Sequence, residues 1–308
     1  MSDLQRIAII GAGHVGATAA YALMLRALVP EIVLLDEHDA LAEAEAADLS
    51  DANALARPAR IWAGGYDDAA SAQIAVITAG APTQGNQSRL SVAARSAEIV
   101  THCVQSLIDA GFSGILVLAA NPVDLMAQIA LQVSGLAPSR VIGTGTLLDS
   151  ARMRQALAAR LEVSSSSIEG FVLGEHGDSE VAAQSTVRIG GLPLAGFEDP
   201  ARALDFAAMA SDVRDAGYRI VTGKGYTSFG IATAIVRICE AIVRDEKRVL
   251  PVSAQLTGEL GISGLFMSLP CIVGAKGIER ILPLALPVAE HRAFVASADA
   301  LRAAMAGL

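Results

Sequence analysis

The chain has 308 residues, long enough for two core-forming units and too long for one ordinary small domain. A formal charge of -9, a pI near 5.1 and no run of lysines or arginines argue against a nucleic-acid or anionic-membrane surface as its main business. Three cysteines (Cys103, Cys239, Cys271) lie far apart in apolar segments without a C-x-x-C, which fits structural thiols in a reducing cytosol.

The N-terminus runs from Met1 straight into a strand without a signal-peptide pattern, and no apolar stretch reaches the length of a membrane span. A soluble cytoplasmic protein is expected. Ile7-Ala8-Ile9-Ile10 reads as a buried strand, followed by Gly11-Ala12-Gly13-His14-Val15-Gly16 and a helix of small residues from Ala17 to Ala27. A second strand, Glu31 to Leu35, ends in Asp36, 20 positions after Gly16. Dinucleotide binding explains this order of parts. Gly11 permits the tight turn, Gly13 lets backbone N–H groups approach a pyrophosphate, and Gly16 lets helix and strand pack closely. The helix N-terminus offers unpaired N–H groups and a positive dipole end to the phosphates. Asp36 can accept both ribose hydroxyls of NAD and would repel the 2′-phosphate of NADP. His14 and His38 read as surface residues.

Residues 40–57 form an alanine-rich helix with a loose apolar face of Leu41, Leu49 and Leu55, and Ile61-Trp62 a short strand. Gln73 to Thr78 is a clearer strand, and Ala79-Gly80-Ala81 places small residues at its carboxyl end, where a parallel sheet admits a ligand. The polar stretch Pro82 to Leu90 then carries Arg89 ahead of a helix over 91–110. By itself it is a surface loop with a solvated arginine; the sharper reading is a lid that delivers Arg89 to a developing negative charge. His102 and Cys103 read as packing or surface residues of that helix.

Gly114 to Ala120 is a buried strand running into Asn121-Pro122-Val123-Asp124. Asn121 either caps the following helix or holds its amide at the sheet edge. Val141-Ile142-Gly143 closes a β-α-β alternation typical of a doubly wound parallel sheet. Asp149 and Arg152, three apart at the next helix start, share a face. An arbitrary pair of this kind is a surface ion pair, but Leu147, Leu148, Ala151 and Met153 surround this one with apolar residues.

The second half fits a smaller α+β domain. A strand from Ile168 to Leu173 ends in Gly174-Glu175-His176-Gly177-Asp178, where glycines bracket one histidine. In isolation that is a surface turn; in a site, the glycines let a ligand approach an imidazole suited to proton transfer. A hairpin turns at Gly190-Gly191, helices follow over 201–216 and 226–245, a strand over 264–274 bends at Pro270, and a helix over 289–306 closes the chain. The expected fold is α/β: a Rossmann doubly wound parallel sheet in an NAD-binding domain, residues 1–143, then an α+β catalytic domain, residues 144–308.

Along almost its full length the chain resembles the L-lactate/malate dehydrogenase family. The resemblance rests on Gly11–Gly16 with Asp36, Thr78–Ala81 through Ser88-Arg89-Leu90, Asn121–Asp124, Asp149-Ser150-Ala151-Arg152, Gly174–Asp178 and Gly223-Lys224-Gly225-Tyr226-Thr227, in the family's order and spacing. It implies NAD-dependent hydride transfer at C2 of an L-2-hydroxy acid. His176 would be the acid/base, held by Asp149. Arg152 would clamp the substrate carboxylate, and Arg89 would polarise the carbonyl from the lid. Asn121 would bond at the nicotinamide and the substrate oxygen, with Thr227 and Thr83 beside the substrate. Gly11, Gly13, Val15, Gly16, Asp36, Ala79, Gly80 and Asn121 would hold NAD. No metal is expected. A homotetramer or homodimer is implied, without the long N-terminal arm of vertebrate lactate dehydrogenases.

Malate dehydrogenases of this family usually carry a lid arginine six residues before the position of Arg89, and many lactate dehydrogenases a glutamine; this chain has Thr83. A neutral lid disfavours a dicarboxylate, whose second charge would be desolvated without a partner. An L-lactate dehydrogenase is therefore expected, with an L-2-hydroxyisocaproate-type enzyme of broader preference as the alternative and malate behind both. A catalytically silent NAD-binding protein would lack at least one of Arg89, Asp149, Arg152 and His176, and all four are present. Activation by fructose 1,6-bisphosphate typically needs an arginine, matched by Arg154, and a histidine where this chain has Glu169; the acid would repel the sugar phosphates, so no activation is expected.

Overall fold

The structure, a computed structural model, describes residues 5–56, 58–81, 92–197 and 204–308. The first half supplies six parallel strands: β1 (Arg6–Ile10), β2 (Glu31–Leu35), β3 (Arg60–Ala63), β4 (Ile74–Ile77), β5 (Ile115–Leu118) and β6 (Val141–Gly143). Their order across the sheet is β3-β2-β1-β4-β5-β6. Helices α1 (His14–Leu25), α2 (Asp39–Asn53), the short α3 (Tyr66–Ala70), α4 (Ala93–Asp109) and α5 (Val123–Ser134) make the crossovers. Both faces of the sheet are covered, which is why these strands are apolar throughout rather than alternating. Within β1, Ala8 and Ile10 enter one core while Ile7 and Ile9 enter the other.

The sheet does not stop at β6. Strands β10 (Arg248–Thr257), β11 (Ser263–Gly274) and β12 (Gly277–Ile281) extend it antiparallel, joined to β6 through Ser253 opposite Gly143. Pro251 and Pro270 face each other in the β10–β11 ladder, so its two missing donors fall on one rung. Between these strands and β6 the chain forms α6 (Leu147–Leu161), a small sheet of β7 (Ile168–Leu173), β8 (Val181–Ile189) and β9 (Leu192–Pro193), and helices α7 (Phe206–Lys224) and α8 (Phe229–Val243); α9 (Val288–Met305) ends it. A third core lies under the small sheet, built from residues such as Met153, Leu157, Val172, Val187 and Met209.

Three local expectations change. The buried stripe of α2 is Ala42, Ala46 and Leu49, whereas Leu41 is exposed and Leu55 lies beyond the helix, 93% exposed. Alanine at successive turns brings the helix close to its neighbours, so the larger leucines are not needed inward. The helix read as ending at 216 continues to Lys224, where Gly225 at φ +87 caps it, and the next helix starts at Phe229. Strand β10, not anticipated, is the element that joins the second half to the sheet.

Candidate active site

At the carboxyl ends of β1 and β4, neighbours from which the chain departs in opposite directions, the sheet opens a crevice. Gly11 takes φ +102, and a Cβ there would meet the Ala79 backbone N at 2.6 Å. A Cβ on Gly16 would stand 1.9 Å from the Gly11 carbonyl oxygen, so α1 can approach β1 only with glycine at this position. Gly13, the N-cap of α1, has nothing within 4 Å of its Cβ position and faces open space. Asp36 is fixed by backbone donors: Ala12 N–H reaches Oδ2 at 2.8 Å and His38 N–H reaches Oδ1 at 3.0 Å. The adjoining cleft of about 610 Å³ is lined by Gly11, Gly13, Asp36, Ala79 and Gly80 among others. A fixed carboxylate, an open helix N-terminus and glycines at the points of closest approach fit a dinucleotide. Val15 packs into the core beneath the turn, outside the lining of this cleft. Asn121 lies just past β5 and is not the helix cap, since Pro122 occupies that position with no side-chain cap bond.

The second cluster is built on the junction of α6 with β7. Thr146 Oγ1 donates to the Val172 carbonyl at 2.5 Å, and Val172 N–H donates to Ser150 Oγ at 2.9 Å. Thr146 N–H also donates to Ser268 Oγ on β11 at 3.0 Å. These bonds seat the first turn of α6 against the end of β7, so Asp149, 2% exposed, arrives beside His176. His176 Nδ1 is 2.7 Å from Asp149 Oδ2, and Arg152 Nη1 donates to Asp149 Oδ1 at 2.9 Å. A carboxylate only accepts, so the imidazole proton shared here sits on Nδ1 and leaves Nε2 for exchange. The Asp149–Arg152 pair is therefore buried at the site rather than solvated on a surface.

The loop after β7 is held at three successive residues, Gly174, Glu175 and His176. Gly174, at φ +88, exchanges backbone bonds with Ser268 at 3.0 and 2.8 Å. Glu175 N–H donates to Ser297 Oγ of α9 at 2.9 Å, and Ser179 Oγ donates to the Glu175 carboxylate. His176 N–H donates to Asp124 Oδ2 at 2.8 Å, while Ser253 Oγ donates to Asp124 Oδ1 at 2.5 Å. Burial pushes the Asp124 carboxyl up to about 6, against the bonds from Ser253 and His176 that hold it down. Reading the sequence placed Asp124 in a motif without giving it a task; here it ties the turn after β5 to the loop of His176. Glu180 brings a carboxylate oxygen within 4.8 Å of the ligating atoms of Asp149 and His176, and a divalent cation there would compete with the Nδ1 proton. Thr227 lies in the link between α7 and α8. Arg89 and Thr83 fall outside the described residues.

Comparison with known proteins agrees with this layout. A family model described as the lactate/malate dehydrogenase NAD binding domain matches residues 5–143, and one for the lactate/malate dehydrogenase alpha/beta C-terminal domain matches residues 146–307. L-lactate dehydrogenase 2 of Enterococcus faecalis is 40% identical over 308 residues, covering 99% of this chain and 97% of that protein. The L-lactate dehydrogenase of Priestia megaterium is 39% identical over 301 residues, covering 97% and 95%. The crystal structure of minor L-lactate dehydrogenase from Enterococcus mundtii in its ligands-bound form matches with a TM-score of 0.95 at 37% identity, covering 100% of this chain and 99% of that one. With both family models matched and full-length relatives well above the level at which a fold alone is shared, the chain belongs to the lactate/malate dehydrogenase family.

Proposed function

We propose that the protein is an NAD-dependent L-lactate dehydrogenase, moving a hydride between NAD and C2 of an L-2-hydroxy acid. The observation that carries this reading is the buried triad in which Asp149 holds both His176 Nδ1, at 2.7 Å, and Arg152 Nη1, at 2.9 Å. Bound NAD supplies the hydride acceptor. In lactate oxidation His176 Nε2 takes the C2 hydroxyl proton as C2–H leaves with its electron pair, and the C2–O bond becomes a carbonyl. Asp149 fixes the tautomer and stabilises the imidazolium that forms. Arg152 clamps the substrate carboxylate through guanidinium N–H groups other than the one bonded to Asp149. Asn121 orients the nicotinamide and the substrate oxygen, Thr227 lines the substrate space, and Arg89 polarises the carbonyl in the reductive direction.

Residues 1–143 are assigned to the cofactor and 144–308 to substrate chemistry. The cofactor cleft supports this, being lined by residues of the first half, while His176, Asp149 and Arg152 come from the second. A homo-oligomer, dimer or tetramer, is supported by apolar side chains left exposed on and beside α1 and α2, namely Tyr21, Leu25, Leu41 and Leu55. A cytoplasmic location is supported by three buried, unpaired thiols. Among the described residues no helix is long and apolar enough to cross a membrane.

NADH oxidation measured with pyruvate, 2-oxoisocaproate and oxaloacetate tests the reading. Pyruvate should give the highest kcat/KM. Preference for 2-oxoisocaproate would favour the broader hydroxyacid enzyme, consistent with the small Thr83, and no turnover with any of the three would overturn the proposal.

A further inference from the structure

His14 is the first residue of α1, immediately after Gly13, and it is exposed. Its ring lies 3.8 Å from that of Tyr226, centroid to centroid, with an interplanar angle of 12°. Tyr226 belongs to the link between α7 and α8 and precedes Thr227. Lys224, the last residue of α7, places its Nζ 4.4 Å from the Tyr226 ring and 4.4 Å from the Phe229 ring. The cofactor turn and the substrate link, remote in sequence, thus meet through a parallel ring pair. The contact is not core packing, for Tyr226 is 38% and Phe229 71% exposed. His14 also follows directly on Gly13, whose Cβ position faces open space.

We infer that the His14–Tyr226 stack is a positioning contact that couples cofactor binding to substrate binding. The inference rests on the proposed dehydrogenase function. A dinucleotide seated on the N–H groups at Gly13 holds the start of α1 and so the His14 ring; the stack passes that restraint to Tyr226 and to the neighbouring Thr227. The substrate meets a wall already ordered, and by linkage each ligand tightens the other by the same factor. One aromatic pair can transmit about a three- to tenfold effect.

The test measures NADH affinity by fluorescence titration with and without oxamate, an isostere of pyruvate, alongside the KM for pyruvate at saturating NADH. In the unaltered protein oxamate should tighten NADH. In His14→Ala and in Tyr226→Ala that tightening, read as the ratio of NADH affinities with and without oxamate so that any direct effect on NADH binding cancels, should shrink, and the pyruvate KM should rise, by about three- to tenfold. His14→Phe, which can still stack, should restore both, and the double alanine variant should lose no more than either single variant. Undiminished tightening in His14→Ala, additive losses in the double variant, or His14→Phe behaving as His14→Ala would each overturn the inference while pyruvate turnover left the functional reading standing. Absence of turnover in the unaltered protein would overturn both.

Discussion

Asp149 is asked to do two things at once. Its two oxygens hold an imidazole and a guanidinium, and at 2% exposure its charge is stabilised by those partners rather than by water. This arrangement makes Arg152 hard to replace. Lysine keeps the charge but has no planar fork, so it cannot bind Asp149 and a substrate carboxylate in the same geometry. Arg152→Lys should raise the pyruvate KM roughly 30- to 100-fold, the scale of one charge-assisted bond, with NADH titration little changed; an unchanged KM would remove Arg152 from the clamp. Asp36 stands apart, its oxygens bonded to Ala12 and His38 N–H while the residue lines the cleft. Asp36→Ala should reduce the preference for NADH over NADPH by about tenfold or more, read from kcat/KM with each cofactor. These residues were legible in the sequence because each sits in a short motif. Thr146, Ser268 and Ser297 were not, because a lone hydroxyl reveals nothing until its distant partner is known.

The segments around the site are placed by polar bonds between elements more than by their own propensity. The loop of His176 hangs between α5, α6, β11 and α9, through Asp124, Asp149, Ser268 and Ser297. Asp124 is the most exposed to pH. Its ordinary value is 3.8 and burial lifts it to about 6, so between those values the folded protein holds a proton that the unfolded chain has released. Stability must then fall as pH rises through that window, by about 3 kcal/mol for two units. Asp124→Asn keeps an oxygen for the His176 N–H and presents its amide to Ser253, whose hydroxyl can turn to accept it. Urea unfolding at pH 4 and pH 7 should show the unaltered protein losing about 3 kcal/mol relative to this variant over the interval; parallel pH profiles would contradict the burial account.

At the scale of the molecule, one sheet runs through both halves of the chain, and helices α1 and α8 are tied by the Arg26–Glu240 ion pair at 2.8 Å. Away from the site, Arg154 is lowered chiefly by burial and then by the Arg248 charge, while Glu169 acts in the opposite sense. A carboxylate already offsetting the Arg154 charge leaves less positive field for a sugar bisphosphate. Pyruvate saturation curves with and without fructose 1,6-bisphosphate should therefore coincide, and a lowered KM in its presence would refute this. The parallel half of the fold and the glycine turn with Asp36 could be read from the residues themselves, whereas a task for His176 came only from the resemblance, its loop being a surface turn when taken alone. Backbone conformation and apolar burial are local demands, and they leave local patterns of glycines, runs and spacings. Only the tertiary structure decided that β10 carries the sheet onward, that Asp124 braces the loop of His176 and that His14 meets Tyr226. Each of these is a contact between segments far apart in the chain, where a side chain's partner depends on the packing of whole elements and leaves no trace in its neighbours.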